Sequence, residues 1–501
     1  MSKFHSTISR RDFMKALGIT GAGLGAASLL SPQFQDLDDM ISASASQNQY
    51  PWWVRRVDEP TVEVDWTMKS RWSEVNTLRG SSFYMNSYIT PEEQNARQAQ
   101  QAAWHQQWLE ENKPGWALRD RAFSGAADEG GVSNTFMGTK RVAGPEDLGV
   151  PKYSGTPEEN SRLIRSALRF FGCMSVGFVE LDPLTTEKFI YSYEPGGRRQ
   201  ITWKADGPFE TATEHAHPLD ARNVIVMVNQ ENHELWKRSN TLLQVQIRYQ
   251  RAANIQERVQ NFLGGLGYWA LSEGGNGTGN APALSIMAGL GELGRIQRTI
   301  TPEWGPTVGI FRYITDMPVE AGKPIDAGFW RFCFTCKKCA EACGEGALSL
   351  ADEPTWDPSE NATPYTPVTG HDPADRPGAL PAQPGGWHQG GAKVFYEDSR
   401  KCRAWKMHAN TCNSGRCHGV CTFTKHHYAS IHETVLAVQS ATPIFNSFFK
   451  EMDDLMGYGL AGWAHDDYSA PDDKRTSAVD EFWNYQLPVY GIDTSVGQSY
   501  Q

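Results

Sequence analysis

The sharpest patterning of apolar and polar positions lies in the middle of the chain. Leu163, Ala167 and Phe170 recur at helical spacing behind Thr156-Pro157-Glu158-Glu159, and Gly172 follows. A capping box, proline at the first helical position and a glycine stop predict a helix between them. Val176 to Leu181 and Val224 to Val228 read as buried strands. Phe189-Ile190-Tyr191 and Ile201-Thr202-Trp203 flank Pro195-Gly196-Gly197, which predicts a hairpin. A long helix is predicted from Thr241 to Leu263, with Val245, Tyr249, Ala252, Val259 and Phe262 on its apolar stripe and Gly264-Gly265 ending it. Tyr268 to Leu271 reads as a short strand, followed by a glycine-rich loop from Glu273 to Gly279. Strands interleaved with helices predict an α+β domain of α/β-like character. Upstream, residues 46–150 are polar, Trp-rich and irregular, apart from a helix predicted from Pro91 to Glu111.

The cysteines change this picture. Eight of nine fall in two bursts. Cys333, Cys336, Cys339 and Cys343 form C-x2-C-x2-C-x3-C, and Cys402, Cys412, Cys417 and Cys421 form the second set. The first spacing is a ferredoxin-type iron–sulfur run, in which three thiolates wrap one cubane and the fourth ligates the other cluster. The expectation is a crossed pair of 4Fe–4S clusters. Cys333, Cys336, Cys339 and Cys421 would hold one; Cys343, Cys402, Cys412 and Cys417 would hold the other. Zinc sites separate their cysteine pairs by a long gap, and disulfide frameworks belong to short secreted chains, so both fit this 501-residue chain poorly. The wide x4 gap after Cys412 is the irregular part of the second set. Gly344 and Thr422 stand where proline normally follows the last ligand. Cys173, outside both sets, reads as a small buried apolar residue.

Length predicts two or three domains. The formal net charge of -11 argues against a nucleic-acid footprint. Ser9-Arg10-Arg11-Asp12-Phe13-Met14-Lys15 is a twin-arginine pattern; an Ala/Gly-rich stretch to Leu30 and the small residues Ala43-Ser44-Ala45 follow it. The expectation is export of a folded, cofactor-loaded protein to the outer face of the cytoplasmic membrane, with peripheral association through a partner. The expected boundaries are a leader at 1–45, an irregular segment at 46–150, a catalytic α/β-like domain at 151–325, a cluster domain at 326–430 with a Pro/Gly-rich insertion at 352–391, and a C-terminal segment at 431–501. The loop around Gly275, Asn276 and Gly277 is of a kind that can let a cofactor approach the backbone, or is simply a tight turn. It lacks the G-x-G-x-x-G context of a Rossmann nucleotide site.

The order of leader, α/β domain and two cysteine runs resembles the respiratory reductive dehalogenases. So do Ile300-Thr301-Pro302-Glu303-Trp304-Gly305-Pro306, Thr315-Asp316-Met317-Pro318 and Thr442-Pro443-Ile444-Phe445-Asn446-Ser447-Phe448-Phe449. The resemblance implies a nitroreductase-like domain holding a base-off, cobalamin-type corrinoid, followed by a ferredoxin-like two-cluster domain. The chain has no D-x-H-x-x-G motif that would supply a lower histidine ligand, in keeping with that family. Electrons would pass through both cubanes to cobalt, which would attack the halogen or carbon of an organohalide. A membrane-anchor protein and a respiratory electron donor are implied as partners. Counting eighteen residues back from Gly267 gives Tyr249 as the implied proton donor. Gly309 falls where tetrachloroethene enzymes carry an arginine, leaving Arg312 as the candidate cation. Asn276 resembles an asparagine near the substrate pocket.

Two other functions share parts of this pattern. An epoxyqueuosine reductase would combine corrinoid and cubanes, but the leader and acidic balance argue against a tRNA enzyme. An exported ferredoxin-type carrier would not need so large a domain before its cysteines.

Overall fold

The computed structural model describes residues 50–484, apart from 74–84, 87, 123–134, 195–198, 232, 239–240, 244–247, 274–276, 358–388, 410–414, 426–429, 457–478 and 481–482. The leader, Pro195-Gly196-Gly197, Gly275, Asn276, Cys412 and most of the insertion therefore lie outside the described residues.

Helix α1 spans Pro91–Glu110, with the Thr90 hydroxyl accepting from Glu93 N at 3.2 Å. Helix α2 spans Pro157–Phe170 and begins with the expected capping box: Glu159 N donates to Thr156 Oγ1, and Thr156 N donates to Glu159 Oε2. Gly172 follows at φ 100°, a left-handed conformation that suits glycine.

Three antiparallel strands form the centre. Strand β1 is Ser175–Glu180, β5 is Asn223–Gln230 and β6 is Val308–Thr315, in the order β1-β5-β6. Alternation assigns each face. Val176, Phe178, Ile225, Met227, Phe311 and Tyr313 pack under α2 and helix α3 (Arg248–Leu266). Val179, Val224, Val226, Val228 and Ile314 pack on the other side with Leu284 and Ala288, at helix α4 (Ala281–Met287). Both faces of β5 are thus buried, which accounts for its continuous apolar run.

Three expectations shift. Helix α3 continues through Gly264-Gly265 and closes at Gly267, where φ is 91° and Tyr268 N reaches Leu263 O at 2.9 Å. Glycine inside a helix costs only about 1 kcal/mol, so a packed helix passes through it. Thr241 to Leu243 form a turn rather than helix. The hairpin is displaced: Phe189 ends a 3-10 turn, and Phe189 and Ile190 sink into the core beside α4. The short antiparallel contact lies instead at Tyr193 and Gln200. Strand β2 (Gln200–Ala205) then pairs in parallel with β4 (Glu214–Pro218), whose other edge carries β3 (Phe209–Glu210). Of the strand expected at Tyr268 to Leu271, only Leu271 bridges to Ile314.

The cysteine region is helical. It comprises α5 (Phe329–Cys336), α6 (Lys338–Glu341), α7 (Ser399–Ala409) and α8 (Gly415–Gly419), followed by α9 (Ser430–Ala441) and α10 (Asn446–Leu455). Phe449 of α10 packs with Phe329, Phe332 and Phe423. Lys338 makes a buried ion pair with Asp453 at 2.5 Å. Among the described residues, no helix is long and apolar enough to cross a membrane.

Candidate functional site

Cys333 and Cys336 lie three residues apart on one face of α5. Lys337 then takes a left-handed φ of 55°, turning the chain so that Cys339 on α6 comes back beside them. Cys421 arrives from the segment after α8. These four thiols line one small cavity with Phe332, Thr422 and Arg295. Burial pushes the Cys333 thiol up to about 12 and raises Cys336, Cys339 and Cys421. Arg295 closes the cavity, donating from Nε to Cys333 O at 3.0 Å and from Nη1 to Ser349 O at 2.6 Å. Among the described residues, no three His, Cys, Asp or Glu side chains gather tightly enough to hold a single ion.

Arg298 and Glu397 form an ion pair 3.3 Å apart, with Cys343 in electrostatic reach of Glu397 and Cys402 and Cys417 in reach of Arg298. Burial raises the Cys343 thiol, and Glu397 adds to it. Glu397 first, then Cys402, Cys417 and Tyr249, hold Arg298 protonated against its burial. Arg298 is nonetheless half exposed, because it lines a cavity of about 480 Å³ between α4 and the segments at 60–72 and 389–399. That volume is in the range of cofactor sites.

Tyr249 stands in the first turn of α3. Its ring meets Phe311 edge-on at 5.8 Å, and it is 37% exposed. A place on the apolar stripe suggested that the Tyr249 hydroxyl faces a dry pocket; Ala252 and Val259 of the stripe are buried, whereas Tyr249 is partly exposed. Arg312 is brought elsewhere. On β6 the odd positions Phe311 and Tyr313 face α3, so Arg312 faces α4. There it donates to Ile310 O at 2.8 Å and Gly279 O at 2.9 Å.

Arg248, which the periodicity did not single out, takes that place. A Cβ on Gly309 would lie 2.6 Å from Arg248 Cβ, so the arginine stem fills the space over the glycine. The Arg248 guanidinium lies 5.1 Å from the Tyr249 ring centre, and its Nε is 3.4 Å from Glu231 Oε1. Burial pushes Glu231 up to about 7 despite that arginine. Gly309→Ala should destabilise the protein by about 1–3 kcal/mol through this overlap, read as a lower thermal midpoint. An unchanged midpoint would rule out the packing.

Gly277 is buried, and a Cβ there would lie 2.6 Å from Glu273 O, so its place in the loop is a tight turn. Glu273 itself forms a fully buried pair with His217, Oε1 to Nε2 at 2.7 Å, under Phe136. Burial alone would raise this carboxyl, but His217 and Thr278 hold it down at about 2. A lowered carboxyl stabilises the fold above its unfolded value of 4.5, and that stabilisation fades as pH falls toward about 2. Glu273→Gln should therefore unfold roughly 3 kcal/mol more easily near neutrality, the gap closing in acid. A pH-independent gap in denaturation midpoints would count against the pair.

The profile of the reductive dehalogenase subunit family matches residues 49–188. The chain is 28% identical to a trichloroethene reductive dehalogenase of Dehalococcoides mccartyi, across 99% of both chains. It is 29% identical to a tetrachloroethene reductive dehalogenase of Sulfurospirillum multivorans, across 68% of this chain and 62% of that one. In fold it is similar to a solved catabolic reductive dehalogenase, with a TM-score of 0.53 and 20% identity over 81% of this chain. That match takes in 49% of the solved chain, about half its length. The chain is thus similar from end to end to a reductive dehalogenase, an oxidoreductase, and its residues 49–188 match the reductive dehalogenase subunit profile.

Proposed function

We propose that the enzyme removes halide from a small organohalide, a chlorinated ethene or chlorinated aromatic, as the terminal reductase of organohalide respiration. Two electrons and one proton turn a carbon–halogen bond into a carbon–hydrogen bond and a halide ion. The reading includes a base-off corrinoid in a nitroreductase-like domain at 151–325 and two 4Fe–4S clusters in a ferredoxin-like domain at 326–430. A solved relative in fold is described as giving a mechanism for B12-dependent dehalogenation. When bound, the corrinoid supplies reduced cobalt able to attack the carbon–halogen bond, and the clusters supply its electrons.

The residues fit these groups. Cys333, Cys336, Cys339 and Cys421 share one cavity, and burial disfavours their charged forms unless a cation joins them. A cubane spreads its thiolates around four irons, which suits a ring of thiols better than a cluster on one ion. Cys343, Cys402 and Cys417, with Cys412, would hold the second cubane. The observation that carries the reading is Arg298. It lines the large cavity, and Cys402, Cys417 and Tyr249 all act on its charge. Arg298 thus borders the cavity within electrostatic reach of the second thiol set and of Tyr249. Tyr249 would deliver the proton from its hydroxyl, with Arg248 as the neighbouring cation. Gly275, Asn276 and Gly277 would border the ligand, Arg312 bracing the end of their loop at Gly279. A twin-arginine leader and a membrane-anchor partner would hold the enzyme at the outer face of the cytoplasmic membrane, supplied by a respiratory donor.

The test is halide release by anaerobically purified, corrinoid-loaded full-length chain, driven by a low-potential donor, against chlorinated ethenes and chlorinated aromatics. Release that depends on cobalt content is expected. Active protein without cobalt, or loaded protein that releases no halide from either class, would overturn the reading.

A further inference from the structure

The 480 Å³ cavity has an electrostatic imbalance that its apolar wall does not explain. Pro282 and Ile286 of α4 form part of that wall, yet Lys69, Lys188 and Arg298 also line it. The carboxylate among its lining residues is Glu397, already bonded to Arg298. Lys188 donates to Trp66 O at 2.6 Å. Lys69 has no carboxylate or hydrogen-bond acceptor among the described residues. Its stem lies beside Gly391, where a Cβ would sit 3.3 Å from Lys69 Cγ. Lys69 is half-buried, and that burial pushes its ammonium down to about 8, with no charge among the described residues to counter it. An excess of cations is not the background of a chain whose net charge is -11. A large apolar cavity with an uncompensated lysine calls for a bulky ligand carrying a negative group.

Resting on the corrinoid reading above, we propose that Lys69 binds the phosphodiester of the corrinoid's nucleotide tail. The rest of a corrinoid is a broad ring edged with neutral amides. Its phosphodiester is the permanent anion. An ammonium meeting that phosphate forms a charge-assisted hydrogen bond and regains the counter-charge that burial removed. Lys69 is thus a cofactor-binding residue that selects complete corrinoids over those without a tail.

The experiment uses full-length protein with its clusters in place, produced without corrinoid. Binding is followed by corrinoid absorbance and tryptophan quenching. Three ligands are compared: cobalamin, cobinamide (the same ring without nucleotide or phosphate) and inorganic phosphate as competitor. Wild type should bind cobalamin about tenfold or more tightly than Lys69→Met does, while both bind cobinamide equally. Phosphate should compete with cobalamin in wild type only. Equal weakening of both corrinoids, or no weakening, would overturn the inference and leave the functional reading standing. Phosphate bound alongside cobalamin at Lys69 would assign the site to a free anion and also overturn it. Wild-type protein that binds neither corrinoid would overturn both.

Discussion

Replacing Cys421 with serine is expected to remove about four of roughly eight irons and to abolish turnover. Cys333, Cys336 and Cys339 come from one short stretch of chain, whereas Cys421 closes the same cavity from beyond α8. The serine hydroxyl is a far poorer iron ligand than a thiolate. The variant should keep its fold, because Phe423 and Phe449 still pack over Phe329 and Phe332. Cys173→Ser is the control. Its sulfur lies 3.1 Å from Ser175 O and 3.4 Å from Val228 O, in the core cluster under α2 and α3 that contains neither cysteine set. Iron analysis and low-temperature paramagnetic spectra distinguish the two. A Cys421→Ser protein with full iron and normal turnover would refute the ligand set.

Tyr249→Phe should lower turnover by about 10²–10⁴-fold, the range for loss of a positioned general acid, while iron and cobalt stay at wild-type levels. The ring keeps its edge-on contact with Phe311, so the change subtracts a hydroxyl and little packing. Partial exposure also means that no buried group is stranded. Turnover within a factor of a few of wild type would reject the assignment. Solvent hydrogen should enter the product in either case, and in the phenylalanine variant it would come from water directly.

Local signals were legible in the sequence, and long-range ones were not. The Thr156 capping box and the continuous apolar run from Val224 to Val228 each encode their own structure, the first through hydrogen bonds three residues apart and the second through burial on both faces. The grouping of Cys333, Cys336 and Cys339 is also local, since a helical turn and one left-handed residue suffice to gather them. The hairpin is shorter than expected, an antiparallel contact at Tyr193 and Gln200, because β2 has its main partner at β4, a parallel pairing that Pro195-Gly196-Gly197 cannot announce. Gly264-Gly265 resembled a helix stop, but tertiary packing of Val259 and Leu263 carries α3 past them. Arg248 was invisible for a different reason. Its relation to Tyr249 depends on Gly309, a residue on another element whose missing side chain makes the room.

The two-residue period of β6 limits which positions can serve α3. A side chain that serves α3 from position 309 can drift along the strand only in even steps. An arginine three places on, at 312, is delivered to the opposite face and recruited to hold Gly279 instead. A side chain offered to α3 from this stretch of strand can therefore come only from 309, 311 or 313. At 309 the room is filled from the adjoining helix instead, by the stem of Arg248. Glycine at 309 and arginine at 248 are thus mutually constrained, since any side chain at 309 must displace the arginine.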